Sequence, residues 1–415
     1  MSRCPSTPAG RASGRRLRAT TRCSFVTAVG PFRFFEFDAA TNSVIWEESN
    51  GAIHRAAFPG TRGALGTNLT RVRADFDAGE LIVGLPNGNS ATAELPMPGR
   101  SDATALRGRR ILYLDQRDWS SVAGARFGVA KVNKETTEAA VRLAELVQAG
   151  KLVVPISSGH LTEADALLGK KRQPLASTML ELSRGWQMRH PLNIGKHELA
   201  AALGIESSPP ARVGDVFTLD SNATFINFPT HPSPLPPPFD EIIPAISAIS
   251  GTYDTVIDAT SAPDGGGQAA RLAWARAHEE LVQLFAKDKA SPDMVRRAAL
   301  GRLLLDYAEQ LVRDRQLDME FFKEWIPKAH DEVPRMPYFA RLWDIQCARL
   351  RGRGKWSPND LVDIHMLAAA AGYADVVVGE RRTISDLRTA KRRAPAGAEL
   401  ATSLPDAVAL IEAQS

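Results

Sequence analysis

Cysteine is nearly absent from this chain. Three occur in 415 residues, Cys4, Cys23 and Cys347, too few and too scattered for a disulfide framework or a zinc site. A reducing, cytoplasmic setting is therefore the expected one. No apolar run approaches the roughly 20 residues that a membrane helix requires, so no membrane partner is expected. There is no Gly-rich phosphate loop, and no Cys or Ser–His nucleophile pattern. Aromatic residues are only 7% of the chain. Trp274, Phe285, Phe321, Phe322 and Trp325 fall in helical patterns and read as packing residues rather than a stacking platform for bases. An excess of one charge sign is also lacking. The 51 Lys and Arg against 47 Asp and Glu leave +4, which permits a polyanionic partner without demanding one. Residues 1–22 are the exception: six arginines (3, 11, 15, 16, 18 and 22) and no acid. This stretch reads as a disordered basic arm, without the apolar core of a secretory signal.

Hydrophobic content of 44% and charged content of 24% are ordinary for a globular protein, and the length suits two or three domains. From Ser24 to about Leu95, short β-like runs alternate with turn residues, for example Phe32–Phe37, Ser43–Trp46 and Leu81–Leu85. They predict a small antiparallel β domain over 23–98, closed by a linker at Pro96, Pro98 and Gly99. His54 within it reads as a surface or core histidine. From 108 to 415 the pattern changes. Ile111–Leu114 and Leu152–Ile156 are short continuous apolar runs, as in strands buried on both faces. Glu135–Ala149 has helical periodicity stopped by Gly150. Ser157 and Ser158 suit the N-cap of a following helix, and Thr178–Trp186 and Lys196–Leu203 read as helices.

Residues 207–244 carry Pro209, Pro210, Pro229, Pro232, Pro234 and Pro236–Pro238, which predicts an extended, polyproline-like excursion. A helical insertion follows over 265–352, with patterns at 268–290, 291–315 and 319–330. Ser357 and Pro358 open a further helix that Gly372 ends. Val376–Val378 is a third buried strand, and helices follow from about Thr383 and over Leu404–Ile411. The expected fold is α/β: a parallel sheet with a large helical insertion, preceded by the small antiparallel β domain.

Asp115 and Glu380 each lie just past a predicted parallel strand, where open α/β sheets collect ligands. Glu163 and Asp363 fall on helices that pack beside the same edge. Converging carboxylates repel one another without a counter-charge. Mg²⁺ or Mn²⁺, which take oxygen ligands, would supply it. An ion so held activates water and neutralises charge on phosphate oxygens. Acids alone, without another nucleophile, therefore point to metal-assisted phosphodiester hydrolysis. Arg381 and Arg382 follow Glu380 directly, and positive charge there suits a nucleic-acid backbone. His160 and His365 read as structural histidines.

Three stretches carry a family resemblance. The first is Leu114-Asp115-Gln116-Arg117-Asp118-Trp119. The second is Ser157, His160 and Glu163 at helical spacing. The third is Asn359, Asp360, Leu361 and Asp363, followed by Tyr373, Asp375 and Glu380. Over about 110–415 the chain resembles the PIN-domain nucleases, in particular the longer bacterial PIN-like proteins. The resemblance implies a PIN-like sheet and a Mg²⁺- or Mn²⁺-dependent endonuclease acting on single-stranded RNA, less often on DNA. It implies Asp115, Glu163, Asp363 and Glu380 as catalytic and metal-binding acids, with Asp360 or Asp375 as substitutes for the fourth. A homo-oligomer or an inhibitor protein are the further partners in keeping with it. Two departures stand out: Arg117 occupies a position where such sequences often carry Asn, and Glu380 replaces Asp. They motivate the alternative of a catalytically inactive PIN-like binding or regulatory protein. An aspartyl-phosphate phosphatase would want a second Asp at 117.

Overall fold

The computed structural model describes residues 32–57, 68–85, 88–95, 101–166, 172–205, 210–220, 222–226, 239–257, 265–313, 318–352, 355–391 and 397–413. The basic arm at 1–22 lies outside the described residues.

The N-terminal runs form a six-stranded antiparallel sheet: β1 (Phe32–Asp38), β2 (Ser43–Glu48), β3 (Ile53–Ala57), β4 (Arg71–Asp75), β5 (Glu80–Gly84) and β6 (Ser90–Glu94), in the order β3-β2-β1-β4-β5-β6. Its alternation puts Phe35, Phe37, Val72, Ala74, Leu81, Val83, Ala91 and Ala93 in one buried cluster. Gly79 turns the β4–β5 hairpin at φ 67°, a conformation that glycine adopts without steric cost.

A second, four-stranded parallel sheet has the order β12-β11-β7-β8, built from β7 (Arg110–Tyr113), β8 (Leu152–Val153), β11 (Val376–Val378) and β12 (Glu399–Ala401). Two short strands, β9 (Gln187–Met188) and β10 (Phe217–Thr218), pair separately. The longer helices are α1 (Gln116–Phe127), α2 (Lys134–Gln148), α3 (Ser158–Ala166), α4 (Arg172–Ser183), α5 (Pro191–Ala202), α6 (Phe239–Ile257), α7 (Gly265–Lys287), α8 (Pro292–Arg313), α9 (Pro337–Arg351), α10 (Asp360–Tyr373), α11 (Arg381–Lys391) and α12 (Leu404–Ala413). The parallel strands are apolar on both faces because both are covered. Ile111, Tyr113 and Val377 join the core shared with α5, α8, α9 and α10. Leu112, Leu114, Val376 and Val378 face the core shared with α1, α2 and α12. Helices α4 and α6 pack on the N-terminal sheet through Ala176, Leu180, Ile246, Ile249 and Tyr253. Among the described residues no helix is long and apolar enough to cross a membrane.

Several expectations need correction. Helix α1 follows Asp115 immediately, where no helix was predicted; Asp115 is its N-cap and Gly128, at φ 65°, its left-handed stop. Strand β12 was also unforeseen, being only three residues long. The helix expected over Thr178–Trp186 stops at Ser183, since Arg184 and Gly185 both take positive φ. Helix α10 starts at Asp360 rather than at Pro358. The Asp360 carboxylate accepts from the Ser357 N–H at 2.7 Å, and the Ser357 hydroxyl accepts from the Asp360 N–H at 3.3 Å, a reciprocal cap. The described part of 207–244 is not a continuous extended excursion. Phe217 is fully buried in β10, and α6 runs from Phe239 through Pro244; residues 227–238 lie outside the described residues. Phe322 and Trp325 are core residues as expected, but Phe321 is 47% exposed.

Helices α5 and α8 approach closely at Gly195, where an added Cβ would overlap the Tyr307 ring. Tyr307 is itself buried and bonded to the Tyr338 hydroxyl at 2.7 Å, so it has little room to yield. Gly195→Ala should destabilise the protein by about 1–3 kcal/mol, read as a lower midpoint in denaturant. An unchanged midpoint would show that the two helices can slide apart freely.

Candidate functional site

The carboxyl ends of β7, β8 and β11 point to one edge, and the chain leaves each as an acid or a helix start. Asp115 follows β7. Its carboxylate accepts from the Gln116 N–H at 2.8 Å, and its own N–H donates to the Val378 carbonyl at 3.1 Å. Its backbone is thereby fixed to the end of β11, where Glu380 follows Gly379.

Glu163 depends on His160. The His160 Nδ1 accepts from the Ser157 N–H at 3.0 Å, while Nε2 donates to the Leu114 carbonyl at 2.8 Å. The ring stacks on Tyr113, with centroids 5.1 Å apart. Complete burial pushes its pKa down to about 4, so it stays neutral. These partners require the Nε2–H form. His160 thus pins the start of α3 to the residue before Asp115, and Glu163, one turn on, is carried to the same edge. Asp363 arrives from the first turn of α10, set by the Ser357–Asp360 cap.

The result is a pocket of about 350 Å³ lined by Asp115, Glu163, Asp363 and Glu380 together with Gln116, Arg117, Thr162, Arg271, Asn359 and Val362. The four acids singled out from the sequence meet there although 265 positions separate the first from the last. Burial raises the Asp363 carboxyl to about 7, helped by Asp115, Glu163 and Glu380. Burial also raises Glu163 to about 7, with Asp115 and Glu380 adding and Arg271 opposing. Asp115 is raised as well, first by burial and then by Glu380, against the bond from the Gln116 N–H. Mutual repulsion of this kind marks a place where positive charge is wanting. Among the described residues, no three His, Cys, Asp or Glu side chains stand together in a geometry ready to hold an ion. The donors are all oxygen, the type that Mg²⁺ and Mn²⁺ accept and that softer ions do not favour.

A raised carboxyl alone does not identify a site. Glu198 is also pushed to about 7 by burial, but its oxygens accept from the Tyr338 and Phe339 N–H groups at 2.8 and 3.1 Å and from the Tyr373 hydroxyl. It caps α9. His365 is likewise structural: its Nδ1 bonds the Tyr338 hydroxyl at 2.7 Å, and burial lowers its pKa to about 3.

The two substitute acids are not brought into the pocket. Asp375 precedes β11, at the opposite end of the strand from Glu380. It bonds the Arg110 guanidinium at 2.9 Å and the Ile111 N–H at 2.8 Å. Asp360 is turned inward to Arg349 at 2.6 Å and to its cap. Asp375→Asn should therefore lower stability by about 1–3 kcal/mol, the scale of a hydrogen bond to a charged group, and leave unchanged whatever Mn²⁺ affinity a titration finds in the wild type. A large loss of affinity would contradict this placement.

Arg381 and Arg382 also miss the pocket. Both are exposed on the first turn of α11, and Arg382 donates to the Lys355 carbonyl at 3.3 Å. The guanidiniums that line it are those of Arg117 and Arg271. Arg117 is engaged with the Thr402 carbonyl at 3.1 Å and Asp118 at 3.4 Å. Nothing in the sequence distinguished Arg271 from the other arginines of the helical stretch, because its relation to Glu163 exists only in three dimensions. Gln116 was overlooked beside its acidic neighbour. No protein-family model matches the chain, and no curated protein or solved structure matches it significantly.

Proposed function

We propose that this protein is a Mg²⁺- or Mn²⁺-dependent endonuclease with a PIN-like catalytic unit over about 108–415, hydrolysing phosphodiester bonds in single-stranded RNA. The observation that carries this reading is the convergence of Asp115, Glu163, Asp363 and Glu380 on one pocket, where burial and mutual repulsion raise Glu163 and Asp363 despite the arginines in its wall. Asp115 and Asp363 are the ligands on the most firmly held backbone; Glu163 and Glu380 complete an all-carboxylate set. A divalent ion held by these four carboxylates would supply charge for the phosphate oxygens and acidify a water. In the hydrolysis, a water oxygen would attack phosphorus, the P–O3′ bond would break, and the proton that the water loses would pass through solvent to the leaving O3′. His160 stays neutral and orients, without exchanging a proton.

A specific observation supports a second reading, a PIN-like binding protein without catalysis: Glu380 is exposed, and no ready three-residue ligand set exists among the described residues. Full-length protein incubated with single-stranded RNA and Mn²⁺ separates the two. The nuclease reading expects internal cleavage that EDTA stops. RNA bound but left intact, with no Mn²⁺ uptake by titration, would leave the binding reading alone.

A further inference from the structure

The pocket has a wall that the acids do not explain. Arg271 reaches it from α7, in the helical layer outside the parallel sheet. On the same face of that helix, Trp274 and His278 pack against Trp356, with ring centroids 5.1 and 4.5 Å away. The His278 Nδ1–H donates to the Trp274 carbonyl at 2.9 Å, and burial lowers its pKa. Trp356 immediately precedes the Ser357 cap of α10. The helix that carries Arg271 is therefore seated on the segment that positions Asp363. Among the described residues no hydrogen bond or ion pair fastens the Arg271 guanidinium.

Gln116 forms the other part of the wall. It is 8% exposed, yet neither its amide nitrogen nor its amide oxygen has a hydrogen-bond partner. Leaving such a buried group unpaired is destabilising. The side chain lines the pocket, but both amide atoms are turned away from solvent, so a rotation of the side chain toward the pocket is what would bring them to the partners that an entering molecule offers. The two orphans ask for different things. The nitrogen needs an acceptor, which any phosphodiester offers. The oxygen needs a donor, and a phosphodiester has none. A ribose 2′-hydroxyl is a donor.

We propose that Arg271 and Gln116 form a nucleotide-holding subsite beside the four acids, in which Arg271 binds the phosphate oxygens and the Gln116 amide, turned into the pocket by the bound nucleotide, accepts a hydrogen bond from the 2′-hydroxyl at its oxygen. The subsite deepens the nuclease reading and rests on it for the kind of substrate. It assigns the preference for RNA over DNA to one carboxamide, and it makes the helical layer part of the substrate site. Of the two guanidiniums that line the pocket, Arg117 is engaged with Thr402 and Asp118, and the half-buried Arg271 is the one left to hold a phosphate.

The test is binding of fluorescent single-stranded RNA and DNA of one sequence to the full chain in Ca²⁺, which takes the same oxygen donors, with cleavage followed separately in Mn²⁺. Arg271→Ala should weaken binding of both polymers about 10- to 100-fold and reduce the salt slope by about one. Arg271→Lys should recover part of the loss. Gln116→Met keeps the side-chain volume and removes the orphan groups, so it should fold normally. It should weaken RNA about 3- to 10-fold and leave DNA unchanged. Equal losses on RNA and DNA in Gln116→Met, or no loss with Arg271→Ala, would overturn the subsite. Wild-type protein that binds RNA as described but never cleaves it would remove the nuclease reading and leave the subsite standing. Wild-type protein that binds neither polymer would remove both.

Discussion

Asp115→Asn should abolish Mn²⁺-dependent cleavage of RNA while leaving a folded protein. The side chain is nearly isosteric, and its carbonyl oxygen can still accept the Gln116 N–H that caps α1. What is lost is the charge at the point where β7 and β11 meet. Asp115 appears among the charges raising both Glu163 and Asp363, so it lies at the centre of the repulsion that a cation relieves. Removing one preorganised charge-stabilising group lowers a rate by about 10²–10³-fold, and under the proposed mechanism the loss of a metal ligand would act at least as strongly. Circular dichroism and the thermal midpoint should match wild type or rise slightly. Cleavage by the variant within a few-fold of wild type would end the four-acid mechanism.

The second large effect is on stability and runs against the usual expectation for a mutated site. Asp363 has its carboxyl raised to about 7, mainly by burial. The folded protein then holds this proton more tightly than the unfolded chain does, where an aspartate titrates near 4. Its contribution to stability is intact below about pH 4, is lost as pH rises toward about 7 and stays lost above. Metal-free protein should therefore melt lower at pH 8 than at pH 5. Asp363→Asn has no charge to bury, so at pH 8 in EDTA it should be more stable than wild type, by roughly 1–4 kcal/mol. The advantage should shrink toward zero near pH 4. Excess Mn²⁺ at pH 8 should raise the wild-type midpoint by mass action and affect the variant much less. Thermal melts at three pH values, with and without metal, decide the matter. A variant that melts below wild type at pH 8 without metal would mean that Asp363 is stabilised by partners rather than repelled by its neighbours.

How the acids came together was partly legible in the linear chain. Ile111–Leu114 and Val376–Val378 are apolar at every position, and only strands covered on both faces tolerate that. An acid directly after such a strand lies at the ligand-collecting edge by topology alone, which places Asp115 and Glu380. Glu163 and Asp363 follow from helical spacing near helix starts. The same reasoning failed for Asp375, because one strand of three residues carries acids beyond both of its ends and residue type does not say which end faces the ligand. It failed for Arg381 and Arg382, because adjacency in sequence to Glu380 does not survive the turn into α11.

Composition and local periodicity thus determined the class of fold, the buried strands, the helical middle and the oxygen-only character of the donors, since each depends on neighbours within a few residues. Tertiary structure decided what depends on distant pairs. Asp375 was taken out of the site by Arg110, and Asp360 by Arg349. Arg271 entered the pocket wall from a helix more than 100 positions from Glu163 in the chain. Burial, which no single segment controls, moved Glu163 and Asp363 to about 7 and left the Gln116 amide without partners. Packing sets the local dielectric and the company each charge keeps, and those set its chemistry.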